Sequence, residues 1–176
     1  MQTNLQDVFR LYIDKIDHPI IAVETGCSFM WGDQFLPYIS TLCIIKNLIE
    51  PTGGMLFSLD NDKDKINICR SNIDKLGLGK YVSFLYGDSV DLLYRLHANN
   101  INFVWLDSSE DSEHAQNEYL AVQLSLAKKH IICVDDYGCK NSVKWQKISD
   151  IIKTSFDGYQ TYETPTGLIV GYRGTK

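Results

Sequence analysis

The chain has 176 residues, of which 44% are hydrophobic and 22% charged, and it carries a net charge of −5. That length suits one domain with a sizeable core, and the apolar share excludes a disordered chain. Lys and Arg are scattered rather than clustered, so the basic face that neutralises phosphates in a nucleic-acid binder is missing.

Leu5, Val8, Phe9, Tyr12, Ile13 and Ile16 recur at helical spacing, which predicts an amphipathic helix over residues 3–17, stopped by Pro19. The run Ile20-Ile21-Ala22-Val23-Glu24-Thr25-Gly26 reads as a buried parallel strand over 20–24 that ends in a ligand-shaped loop. An irregular loop over 26–37, rich in Phe29, Met30 and Trp31, leads to a helix over 38–49. Pro51-Thr52-Gly53-Gly54 turns the chain into a second strand, Met55–Asp60. A helix over 62–76 is closed by Gly77 and Gly79, and a third strand over 81–86 ends in Gly87-Asp88-Ser89. A short helix through Leu92, Leu93 and Leu96 precedes a fourth strand, Ile101–Leu106, ending at Asp107. A helix over 113–128 and a fifth strand over 130–134 follow, with Asp135-Asp136 at its end. A last helix over 143–155 and two strands, 159–163 and 168–172, close the chain around Pro165-Thr166-Gly167.

Strands alternating with helices predict an α/β fold, a mostly parallel sheet with helices on both faces. The terminal hairpin must insert one antiparallel strand. No linker, repeat or low-complexity run interrupts the chain, so a single domain is expected over 1–176. The five cysteines are odd in number and form no C-x-x-C pair, which favours a reducing compartment over a disulfide framework or zinc ribbon. No apolar run approaches the ~18 residues of a membrane span. The N-terminus lacks the basic and apolar regions of a signal peptide. A cytoplasmic protein without membrane or nucleic-acid partners is the expectation.

Four of the first five strands end directly in a carboxylate, at Glu24, Asp60, Asp107 and Asp135, and the third reaches Asp88 two residues later. Any one of them reads equally as a turn or helix cap. Together, at the carboxyl ends where open α/β sheets bind ligands, they repel one another unless a cation, a ribose or hydrogen-bond donors answer them. A nicotinamide dinucleotide fits poorly. Gly26-Cys27-Ser28-Phe29-Met30-Trp31-Gly32 lacks the middle glycine, and Asp60 lies well beyond the ~20 residues expected for a ribose contact.

In these motifs, their order and the terminal hairpin, the chain resembles the class I S-adenosylmethionine-dependent methyltransferases over nearly its whole length. The resemblance implies their Rossmann-like fold, with a seven-stranded sheet and an antiparallel C-terminal strand. It also implies that Glu24-Thr25-Gly26 shapes the loop around the methionine end of the donor. Asp60, with Asn61 beside it, would hold both ribose hydroxyls, a pairing apt for a carboxylate that accepts from two donors. Asp88 and Ser89 would meet the adenine.

Phe103-Val104-Trp105-Leu106-Asp107 and Ile131-Ile132-Cys133-Val134-Asp135-Asp136-Tyr137-Gly138 are similar to small-molecule O-methyltransferases of the macrocin and catechol kind. That similarity implies a divalent cation, Mg²⁺, on Asp107, Asp135 and Asp136, beside the methyl donor. Hard carboxylate oxygens suit such a cation, which would lower the pKa of a substrate hydroxyl. Methyl transfer would then be a direct displacement governed by positioning, with Asp107 in the reacting centre. The other reading of the Asp pair is that one carboxylate binds a hydroxyl or amine while its neighbour caps a turn.

His114, in a polar loop that opens a helix, is either a general base or an exposed first-turn residue favoured by the acids around it. Tyr137 is placed to line an acceptor pocket or to sit in the core. Phe29 and Trp31 are placed to cover the donor or to pack their loop, and Cys27 fills a small-residue position. His18, His97 and His130 carry no assigned role. The first loop departs from the family's short glycine-rich turn, with Ser40-Thr41 taking up the helix-starting role after an insertion. The chain also lacks the extension or cap that often encloses the acceptor, leaving a small-molecule acceptor site either open or covered by a second copy in a homodimer. The rival to an enzyme is a non-catalytic module that binds S-adenosylmethionine or a nucleoside.

Overall fold

The structure, a computed structural model, describes residues 3–28, 39–96 and 100–174. The expectations placed on Phe29, Met30, Trp31 and His97 lie outside the described residues. Asn4 caps α1 (Leu5–Arg10) by accepting from the Asp7 N–H at 2.8 Å. The helix is shorter than its apolar spacing predicts. Leu11 and Tyr12 donate to carbonyls three residues back, the chain tightens, and only a 3₁₀ turn over Ile13–Lys15 follows.

The apolar runs become the strands β1 (Ile21–Thr25), β2 (Met55–Asp60), β3 (Val82–Tyr86), β4 (Ile101–Leu106), β5 (Leu126–Asp135), β6 (Gly158–Tyr162) and β7 (Leu168–Arg173). They form one seven-stranded sheet in the order β3-β2-β1-β4-β5-β7-β6. The first five pair in parallel, while β7 lies antiparallel between β5 and β6. The hairpin thus inserts its antiparallel strand as expected. β5 starts four residues earlier than predicted, because a 3₁₀ turn over Gln123–Ser125 ends the preceding helix with no glycine or proline to mark it.

Between strands run α2 (Ser40–Ile44), α3 (Glu50–Thr52), α4 (Lys63–Lys75), α5 (Ser89–Arg95), α6 (Ser112–Val122) and α7 (Trp145–Ser155). A π-helical stretch, Ile45–Ile49, joins α2 to α3, just before Pro51, whose missing N–H cannot extend the ladder. Alternate strand residues face opposite sides of the sheet. Ala22, Phe103, Trp105, Ile131 and Cys133 join one core with α1, α2 and α4. Val23, Val104, Leu106, Ile132 and Val134 join the other with α5, α6 and α7. All five cysteines are free. No helix among the described residues is long and apolar enough to cross a membrane.

The topology puts the switch point between β1 and β4: successive strands run outward from β1 to β3, then resume on its other side. Ligands bind at such a crevice.

Candidate active site

A cavity of about 870 Å³ opens at the carboxyl ends of β1, β2 and β4. Gly26, Asp60, Asn61, Asp88, Ser89, Asp107, His114, Asp135 and Asp136 all line it. Nine of the residues singled out by sequence therefore share one space.

Gly26 closes the junction of β1 and β4. Its φ is +81°, and a Cβ there would stand 2.3 Å from the Asp107 carbonyl oxygen. Only glycine fits both the left-handed backbone and that approach. Its N–H donates to the Leu59 carbonyl at 2.8 Å, and the Asp107 N–H donates to the Thr25 carbonyl at 3.1 Å.

Glu24 and Thr25, expected to shape the loop around the methionine end, stand behind the cavity lining. Both are fully buried and their side chains are spoken for. Glu24 Oε1 accepts from Thr41 Oγ1 and Ser58 Oγ, each at 2.6 Å, and Oε2 accepts from Ser40 Oγ at 3.2 Å. Burial pushes the Glu24 carboxyl up to about 7, against the pull of these hydroxyls. Ser28 N–H in turn donates to Thr41 Oγ1 at 3.1 Å, and Ser28 and Ser40 share a hydroxyl hydrogen bond of 2.8 Å. Glu24 thus shapes the loop from beneath, through Ser40-Thr41 at the start of α2. The helix-starting role expected of that pair is what the structure shows.

Asp60 is nearly buried but reaches the cavity wall. Its Oδ2 accepts from the Cys27 N–H at 3.0 Å and its Oδ1 from the Asp62 N–H at 2.8 Å. Each carboxylate oxygen keeps accepting capacity for a further donor. Asp88 caps α5 by accepting from the Asp91 N–H at 3.1 Å, so the bland reading of this acid is also true.

Glu118, which the sequence did not single out, organises the far wall. It is buried on α6 and its Oε1 accepts from Ser89 Oγ and Ser108 Oγ, while its Oε2 accepts from Thr25 Oγ1 at 3.2 Å. His114 Nε2 lies 3.0 Å from Ser89 Oγ and 3.5 Å from Glu118 Oε1. That bond to Glu118 raises the imidazole pKa above its ordinary value, against a smaller opposing effect of burial. Nε2 is therefore engaged with Ser89 and Glu118, on the side of the cavity that the resemblance gives to adenine.

The three carboxylates expected to hold Mg²⁺ do not surround a metal position. Lys144 Nζ stands between two of them, bonded to Asp107 Oδ1 and lying 2.7 Å from Asp136 Oδ2, with Glu110 Oε1 at 3.9 Å. Asp135 Oδ1 instead accepts from Thr166 Oγ1 at 2.7 Å, in the β6–β7 turn. Among the described residues, no three carboxylate, imidazole or thiolate groups are placed to hold a metal ion. Burial pulls the Lys144 pKa down, but Asp107 and Asp136 outweigh it and hold the ammonium's pKa above the ordinary lysine value. Withdrawal from water and the charge of Asp135 push the Asp107 carboxyl up, while Lys144 pulls it back. The metal chemistry expected of these acids does not fit the residues as they stand.

Tyr137 packs edge-on against Trp145, with ring centroids 5.2 Å apart, so its packing role is the one seen. Thr164, on the cavity wall, carries a buried hydroxyl with no partner among the described residues. Nothing in the sequence marked it. Such an orphaned group is costly unless a ligand or water satisfies it.

A family model described as a methyltransferase domain matches residues 39–137, more than half of the chain. No curated protein sequence matches it at a significant level. Several solved structures share the fold at low identity. One, from Clostridium thermocellum and provisionally described as an rRNA methylase, has 14% identity and a TM-score of 0.73, covering 98% of this chain and 96% of its own. An O-methyltransferase from Bacillus cereus in complex with S-adenosylhomocysteine has 17% identity and a TM-score of 0.68, covering 96% and 80%. TomG, an O-methyltransferase of tomaymycin synthesis from Streptomyces achromogenes in complex with S-adenosylmethionine, has 12% identity and a TM-score of 0.69, covering 97% and 79%. With a matching family model and this order of strands, the chain belongs to the methyltransferase-domain family and has the class I, Rossmann-like fold of S-adenosylmethionine-dependent methyltransferases.

Proposed function

We propose that this chain transfers the methyl group of S-adenosylmethionine to a hydroxyl of a small molecule held in the cavity above β1, β2 and β4. The observation that carries this reading is Asp60. It stands on the cavity wall at the end of β2, each oxygen fixed by one backbone N–H and free to accept one vicinal ribose hydroxyl. Asp88 and Ser89 line the same cavity and would meet the adenine, and Gly26, where no side chain fits, would let the loop approach the methionine end.

The acceptor end is bounded by Asp107, Asp135 and Asp136 and by Thr164 and Thr166 from the hairpin turn. In-line displacement breaks the S–CH3 bond, releases S-adenosylhomocysteine and sends the hydroxyl proton to the Asp135 carboxylate as the new C–O bond forms on an acceptor oxygen held in line. Asp135 and the orphaned Thr164 hydroxyl supply the hydrogen bonds that would orient it. The O-methyltransferase neighbours favour oxygen as the accepting atom. The rRNA description of another neighbour is not carried over, because a net charge of −5 and an acidic mouth disfavour a phosphate backbone.

Calorimetric titration with S-adenosylhomocysteine tests the reading. Asp60→Ala removes two charge-assisted hydrogen bonds and is expected to weaken binding by about 10- to 100-fold. Asp136→Ala, at the acceptor end, is expected to weaken it much less. Failure of both S-adenosylhomocysteine and S-adenosylmethionine to bind would overturn the proposal.

A further inference from the structure

We infer that the Lys144 ammonium takes the place of the divalent cation that the acids at the ends of β4 and β5 would otherwise require, so that the acceptor end of this site works without a metal. Lys144 is only 2% exposed, and its Nζ lies beneath the cavity wall, bonded to Asp107 Oδ1 and 2.7 Å from Asp136 Oδ2. Those are the oxygens a cation would need.

Two further observations show that the placement is built rather than incidental. Lys144 is the N-cap of α7, with no side-chain cap of its own. A cation at a helix N-terminus opposes the helix dipole, so local structure gives no reason for a lysine there, and the carboxylates do. Asp136 has a φ of +59°, in the left-handed region that non-glycine residues rarely enter. That turn sets its carboxylate beside Lys144. Departures from local rules that serve one shared contact mark functional sites.

A doubly charged cation seated on the same oxygens would face the buried ammonium at contact distance. It binds only if Lys144 leaves, taking an unpaired charge with it. Lys144 is therefore a positioning residue, acting on the acceptor site through Asp107 and Asp136. Asp135, tied to Thr166, remains to meet the acceptor. The consequence for turnover rests on the methyl-transfer reading, whereas the competition between lysine and metal stands without it.

The test is Mn²⁺ binding to the full chain, freed of metal with EDTA and followed by electron paramagnetic resonance. The wild-type protein is expected to show no saturable Mn²⁺ site and to bind S-adenosylhomocysteine equally with and without EDTA. Lys144→Met removes the competing charge and is expected to raise Mn²⁺ affinity by at least about tenfold, an effect that Asp136→Asn on the same background abolishes. Lys144→Arg, which keeps the charge, gains nothing. A saturable wild-type Mn²⁺ site lost in Asp107→Asn would overturn the inference, as would a folded Lys144→Met protein with unchanged Mn²⁺ affinity. If Lys144→Met does not fold, the wild-type titration still decides. Loss of S-adenosylhomocysteine binding in the wild type would sink the methyl-transfer reading while leaving the Mn²⁺ result standing.

Discussion

Glu24 offers a quantitative test of how the donor loop is held. It is fully buried, and its folded pKa of about 7 compares with an ordinary 4.5. The folded state therefore holds this proton more tightly than the unfolded chain does. Between pH 4.5 and 7 the native protein binds more protons, so stability falls as pH rises. The contribution is fully present below 4.5 and gone above about 7. The gap corresponds to roughly 3 kcal/mol. Glu24→Gln keeps one acceptor oxygen and removes the titration, and the Ser40 hydroxyl can turn to accept from the new amide. Urea unfolding at pH 5 and pH 8 reads the effect. Relative to wild type, the variant is expected to gain on the order of 3 kcal/mol between the two. Parallel losses in the two proteins would refute the reasoning, because they would mean that Glu24 is ionised throughout or is wetter than its burial indicates.

Gly26→Ala places a Cβ 2.3 Å from the Asp107 carbonyl at a φ of +81°, and should cost about 1–3 kcal/mol in thermal stability together with at least a tenfold loss of S-adenosylhomocysteine affinity. Gly53→Ala is the control: its φ is also positive, but nothing stands within 4 Å, so it should lower the melting temperature without changing affinity. For His114, a proton NMR titration should show an imidazole pKa above the ordinary 6.5 that falls toward it in Glu118→Gln. The stabilisation it confers is fully present below 6.5 and lost as pH rises through the raised value.

The strand-end acids were legible because buried strands read as apolar runs, and the residue after each run must sit at the sheet edge. Asp60, Asp88, Asp107, Asp135 and Asp136 came together at one cavity for that reason alone. Which of them face a ligand was not legible. Glu24 looks like the others in sequence, yet its in-register neighbour Ser58 and the distant Ser40 and Thr41 absorb it into the core. Lys144 was not legible because it is 37 residues from Asp107 and only the fold brings the two together. The one signal was a lysine between Val143 and Trp145 at a predicted helix start, where a cation is locally unwelcome. Glu118 carried a similar hint, four residues after His114 on the apolar side of a helix. Its partners Thr25 and Ser89 are brought to it only by the fold. The ends of helices were the least legible, since the turns after Arg10 and Val122 are set by 3₁₀ bonds rather than by glycine or proline.

The most direct test of methyl-donor binding at the β1–β4 crevice is a crystal structure grown with excess S-adenosylhomocysteine. The ribose hydroxyls should fall on the Asp60 carboxylate, the adenine beside Asp88 and Ser89, and the methionine end over Gly26, with Lys144 still between Asp107 and Asp136. A ligand bound elsewhere, or a ribose that leaves Asp60 untouched, would contradict the account.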